Sequence, residues 1–138
     1  MSQDIVNAVN ALQKVAQRIR RIEQEAREAL FEKDDPVTHR KKLEQKTIIL
    51  MELPDLVGPY CQGLDKATRS ELEKGLDPFA ISAERASDLA SIFYMNALLY
   101  PEDYKEGDPN DLERFIDRFR AKYLPDVTIP ALQPPAKG

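Results

Sequence analysis

Cysteine is almost missing from this chain. Cys61 stands alone, so no intramolecular disulfide can form. Histidine is equally scarce, with His39 its one representative. One histidine and one cysteine fall well short of a zinc set, and their placement toward opposite ends of one helix and its extension does not suit a Cys–His dyad. His39 reads as a surface histidine and Cys61 as a core cysteine. Tryptophan is absent and glycine numbers five, which argues against sheet-rich or loop-rich designs and leaves no glycine-rich loop to cradle a phosphate. No catalytic constellation is present. The chain is read as not an enzyme, with no cofactor and no metal.

Long apolar runs are also lacking. The longest, such as Ile48–Met51 and Ala97–Tyr100, are far short of a membrane span. The start, Met1-Ser2-Gln3-Asp4, has neither the basic flank nor the apolar core of a signal segment. A cytoplasmic protein without a membrane partner is expected. An excess of positive charge is missing too: residues 1–53 carry ten Lys and Arg against nine Asp and Glu, and residues 54–138 ten against fifteen. Neither half has the balance needed to neutralise many phosphates, so nucleic acid is not expected as a primary partner.

What the chain does have is helical periodicity. Ile5, Ala8, Leu12, Val15, Ile19, Ile22, Ala26 and Ala29 recur at spacings of three and four with no proline or glycine between them. Val9, Ala16 and Leu30 widen the stripe, which suits a bundle helix better than a two-stranded zipper. The spacing predicts a first helix from about residue 4 to 32. Asp-Pro then occurs three times, at Asp35-Pro36, Asp77-Pro78 and Asp108-Pro109, each an acceptor side chain before a residue suited to the first helical position. These three pairs mark predicted helix starts. The second helix is expected over 36–53, antiparallel to the first, with Leu30 near Val37, Ile22 near Leu43 and Val15 near Leu50.

Beyond it the pattern predicts a kinked continuation over 55–63, a helix over 66–74 ended by Gly75, a helix over about 79–100, and an amphipathic helix over 109–124. The last is drawn from Leu112, Phe115, Ile116, Phe119 and Tyr123. Pro125, Pro130, Pro134 and Pro135 exclude helix from the final stretch, which reads as a strap or a tail. The expected fold is therefore all-α: one domain over 1–125, made of a long antiparallel helical hairpin (1–53) and a compact helical body (54–125), followed by a proline-rich extended tail at 126–138.

Two local patterns could carry function. His39-Arg40-Lys41-Lys42 is the best basic cluster, although glutamates are interleaved with it. The acidic stretch Glu102–Glu113 resembles a calcium loop only until Tyr104 falls where an oxygen ligand is needed, so it reads as a solvated connection capping the last helix. The apolar surplus is more informative. Ile48–Met51 and Ile92–Tyr100 are apolar around the whole helix, and Tyr94, Met95 and Leu98 require cover from the first hairpin, the tail or a second chain. The leading reading is a non-catalytic protein–protein interaction protein, an adaptor, assembly factor or chaperone-like helical binding protein, expected as a homodimer. Its candidate partner-binding residues are Tyr94, Met95, Leu98, Arg40, Lys41 and Lys42. The alternatives are a regulatory helical protein using the basic patch for nucleic acid or an acidic partner, and a small-molecule binder near Tyr60, Phe93, Tyr94 and Tyr100.

Overall fold

A computed structural model describes residues 2–124, and no strand occurs among them. The predicted tail at 126–138 lies outside the described residues. Helix α1 spans Ser2–Phe31 and buries the predicted seam: Ala8, Leu12, Ile19, Ile22, Ala26 and Ala29 are inaccessible, as are Val9 and Ala16 beside them. Each large aliphatic side chain removed from water there contributes about 1.5–3 kcal/mol.

The chain reverses sharply after α1. Asp34 takes a left-handed φ of 49°, a conformation Asp tolerates better than most residues, and the Asp35 N–H reaches back 2.8 Å to the Ala29 carbonyl. Asp35 then caps α2 (Pro36–Met51), accepting from the Thr38 N–H at 3.0 Å and the Thr38 hydroxyl at 2.6 Å. Helix α2 runs back along α1. His39 Nδ1 donates to the Ala26 carbonyl at 2.8 Å, Lys42 meets Glu25 at 3.2 Å and Lys46 meets Glu23 at 2.9 Å. His39 is thus a half-buried tie between helices, not the free surface residue expected, and the carbonyl requires its hydrogen on Nδ1. Cys61 is buried as expected, its thiol donating to the Val57 carbonyl at 3.4 Å while burial pushes its pKa up.

Ile48–Met51 is not buried all round. Ile49 and Leu50 enter the core, but Ile48 is 52% exposed, on a side of α2 that its neighbours α1, α4 and α5 leave open. The kinked continuation is one helical turn, α3 (Leu53–Val57), followed by a 3-10 turn at Gly58–Tyr60.

Helix α4 corrects two expectations. It runs unbroken over Lys66–Asp88, through both Gly75 and Pro78. Leu72, Leu76, Phe79, Ala83 and Ala86 keep spacings of three and four across them, and this continuous inward face outweighs the ~3 kcal/mol penalty of an internal proline. Gly75 has a packing role instead of ending the helix: a Cβ there would overlap the Phe115 ring. Asp77-Pro78 therefore starts nothing.

The helix predicted over 79–100 is broken in its middle. Helix α4 ends in a Schellman turn, with Ala90 N–H bonded to the Ser87 carbonyl at 2.9 Å, Ser91 N–H to the Ala86 carbonyl at 3.3 Å, and Ala90 at φ 49°. Ser91 then caps the short α5 (Ile92–Ala97) by accepting from the Tyr94 N–H at 3.2 Å. Helix α6 spans Asp111–Tyr123 and starts at Asn110, not at Asp108-Pro109. Asn110 and Glu113 form a capping box, each side chain accepting from the other's backbone N–H, at 2.9 and 2.8 Å. Leu112, Ile116 and Phe119 complete the main core with Leu50, Leu53, Leu72 and Leu76.

Candidate interaction site

Six polar side chains, Arg20, Glu23, Lys46, Tyr100, Tyr104 and Glu113, meet beneath the α5–α6 connection. Lys46 is fully buried, and its ammonium group sits beside one carboxylate oxygen and two backbone carbonyls. Glu23 Oε2 lies 2.9 Å away as an ion pair, and the carbonyls of Leu98 and Asn96 accept at 2.9 and 3.2 Å. The other Glu23 oxygen accepts from the Tyr100 hydroxyl at 2.5 Å. Burial lowers the Lys46 pKa and the Glu23 charge opposes that shift; burial and Glu23 together hold the Tyr100 hydroxyl protonated as the donor.

One turn earlier on α1, Arg20 grips Glu113 with two nitrogens, at 2.7 and 3.0 Å. The same guanidinium donates to the Asp108 carbonyl at 3.1 Å and the Tyr104 hydroxyl at 3.3 Å. Tyr104 passes its own hydrogen to the Asp108 carbonyl at 2.7 Å. The acidic connection is thereby fastened to α1 and not merely solvated. Lys46 is sealed from solvent, bonded to two carbonyls and paired with Glu23, and so braces the α5–α6 connection against α1 and α2.

The brace fixes a strained turn. Leu99 sits at φ 77°, with the Leu98 carbonyl held by Lys46 and the Leu99 carbonyl accepting the Asp111 N–H at 2.9 Å. A bulky residue in this region costs roughly 1–3 kcal/mol and persists because its surroundings fix it. Over this turn lies a groove of about 360 Å³. Helix α4 supplies one wall with Ser82, Arg85 and Ala86, extended by Leu89 just past its end. Helix α5 supplies the other with Tyr94 and Ala97, and Leu98, Leu99, Tyr100 and Asp111 close it. At its rim the α4–α5 corner exposes three large apolar side chains within six residues: Leu89 (64%), Phe93 (68%) and Tyr94 (54%). The Phe93 and Tyr94 rings meet edge to face at 5.4 Å.

The residues singled out from sequence separate accordingly. Tyr94 is exposed and lines the groove. Met95 is only 3% exposed, packed with Ala26, Leu43 and Ala86, so its cover is α1 and α2 and it presents nothing to a partner. Leu98 is partly buried in the groove's floor. Arg40 reaches the same corner, donating to the Ala90 carbonyl at 3.2 Å while pairing with Glu44 at 3.6 Å. Lys42 is tied to Glu25, and Lys41 is exposed elsewhere on α2. Tyr60 lies outside the groove in the 3-10 turn.

The buried charges left a readable trace. The secondary stripe Val9, Ala16, Leu30 has Glu23 as its missing seven-residue member, and Lys46 stands between Leu43 and Leu50 at core spacing. A charge inside an apolar stripe calls for an opposite charge inside another. Among the described residues no group of three or more metal-ligating side chains converges, and no helix is long and apolar enough to cross a membrane. Comparison with family models, curated proteins and solved structures finds no match.

Proposed function

We propose that this chain is a non-catalytic protein–protein interaction protein, an adaptor, assembly factor or chaperone-like helical binding protein that docks another polypeptide on its α4–α5 corner. The observation that carries the reading is the exposure of Leu89, Phe93 and Tyr94 together on a segment held by Arg40 at the Ala90 carbonyl and, just beyond it, by Lys46 at the Asn96 and Leu98 carbonyls. Adjoining large apolar groups on a rigid support are the usual composition of an interface core, aromatics above all. In this reading α1 and α2 act as one long antiparallel hairpin, the stiff base on which the corner is mounted. The polypeptide bound is a second copy, as a homodimer requires, or a different chain.

Sedimentation equilibrium at tens of micromolar, with the wild-type chain and Phe93→Glu, separates these two. Dimerisation lost in Phe93→Glu supports self-association. For a different chain, a photo-crosslinking amino acid at Leu89 should give a discrete adduct in native lysate that Phe93→Glu abolishes. A monomer whose adducts are indifferent to Phe93→Glu would refute the corner as an interaction site.

A further inference from the structure

The groove is lined by one cation, Arg85, and one anion, Asp111, which differ in how they are partnered. Asp111, which also lines the groove, is part-buried and has Arg114 and Arg118 of its own helix as attractive neighbours and Asp103 as a repulsive one. Arg85, on the α4 wall, forms no ion pair among the described residues, and the nearest acids in sequence, Glu84 and Asp88, are exposed. Ser82 lies one turn before Arg85 on the same face of α4 and also lines the groove, so a guanidinium and a hydroxyl face one region. Between them and the strained turn the lining is apolar: Ala86, Leu89, Ala97 and Leu98, with the Tyr94 and Tyr100 rings. The volume, about 360 Å³, is at the lower end of the range for ligand pockets, enough for one bulky side chain and its backbone.

We propose that the groove takes a bulky apolar side chain of a partner polypeptide whose neighbouring residue is acidic, the carboxylate being held by Arg85 and Ser82. A guanidinium recognises a carboxylate through paired N–H donors, and the low-dielectric lining beside it strengthens that contact. The pinned Leu99 turn leaves the floor no rearrangement to make on binding, which reduces the ordering penalty of association. The proposal rests on the protein-interaction reading and names the chemistry of the segment that the site accepts.

Selection of random heptapeptides displayed on phage against the purified full chain tests it. The expected enrichment is an aromatic or large aliphatic residue adjoining Asp or Glu. A fluorescein-labelled peptide of that sequence should bind with an affinity that falls with salt and drops about tenfold in Arg85→Ala, as for loss of a hydrogen-bonded charge. Arg85→Glu should shift the selected flanking residue from acidic to basic. Ala97→Trp, which fills the groove from an exposed position, should abolish binding without lowering the thermal midpoint. Failure to enrich any peptide overturns the proposal. So does a selected peptide indifferent to Arg85→Ala and Ala97→Trp. If such a peptide is still displaced by Phe93→Glu, the corner binds polypeptides and the interaction reading survives while the groove assignment falls. If Arg85→Ala lowers the thermal midpoint and leaves peptide affinity unchanged, Arg85 only complements the C-terminal end of α4, and the proposal is again overturned.

Discussion

Replacing Lys46 by Met keeps the length and most of the volume of the side chain and removes only the ammonium group. What remains is a Glu23 carboxylate, almost entirely buried, with the Tyr100 hydroxyl as its one hydrogen-bond donor, and two backbone carbonyls, of Asn96 and Leu98, without theirs. Removing one partner of a buried ion pair costs about 3–5 kcal/mol. Against a total stability of roughly 5–15 kcal/mol for a domain, that is a large share. The double variant Glu23→Leu, Lys46→Met removes both charges and should cost less than Lys46→Met alone, about 1–3 kcal/mol for the polar groups still unpaired. Urea unfolding followed by circular dichroism gives both numbers, and a matched slope shows that the unfolded state has not changed. Amide exchange at Asp111, whose N–H is bonded to the Leu99 carbonyl, should accelerate in Lys46→Met ahead of global unfolding. A loss below about 1 kcal/mol in Lys46→Met, or single-variant losses that add within about 0.5 kcal/mol, would refute the buried network as a brace.

Gly75→Ala should destabilise the protein by about 1–3 kcal/mol, because the added methyl overlaps the Phe115 ring, and Phe115→Leu in the same chain should recover part of the loss. Helix propensity alone predicts the opposite sign, so the direction of the shift in urea midpoint decides. Ala90→Gly should raise the thermal midpoint by a few degrees, relieving about 1 kcal/mol of left-handed strain at φ 49°; a lowered midpoint would contradict it. Acid sensitivity should come in part from two helix caps. The Asp35 carboxyl is held below its usual value by the Thr38 hydroxyl and N–H, and Asp65 by the N–H and hydroxyl of Thr68. A depressed carboxyl pKa contributes stability above its unfolded value, near 3.8, and that contribution is lost as pH falls through the lower folded value. Asp35→Asn, which still caps but cannot titrate, should flatten stability against pH below about 4, measured by thermal melts across that window.

Legibility in the sequence followed the physics of each element. Helix α1 and the start of α2 were readable because an uninterrupted seam and a true N-cap at Asp35 are local signals that tertiary packing did not override. Gly75 and Pro78 were misread as boundaries because their usual local meaning yields here to a core face running across them, and because Gly75 answers to a ring on a helix some 40 residues later. The corner at Ala90 was invisible: a Schellman turn without glycine leaves no mark in composition. Breaking the apolar stretch there changed the site most, turning Phe93 and Tyr94 outward and Met95 inward within a single turn. The buried network is harder to see because Glu23 and Lys46 are each a single charge interrupting an apolar spacing, and the partner that makes burial tolerable lies on another helix.

Glu113 closes the capping box of α6 and also receives Arg20, 93 residues earlier in the chain. Its two roles make the first turn of α6 conditional on α1. A 13-residue helix is marginal by itself in water, so α6 gains its stability on docking and not before. The closure spans most of the described chain, and its entropy must be met before the Arg20–Glu113 contact can repay any of it. Formation of α6 is therefore expected late in folding, which refolding rates of Glu113→Gln against wild type would test. A fragment cut between Tyr104 and Asp108 keeps every residue of α1 and α2 but leaves the partly buried Arg20 without the Glu113 carboxylate, and it should melt below the intact chain. The two ends of this helical array are made to fold as one.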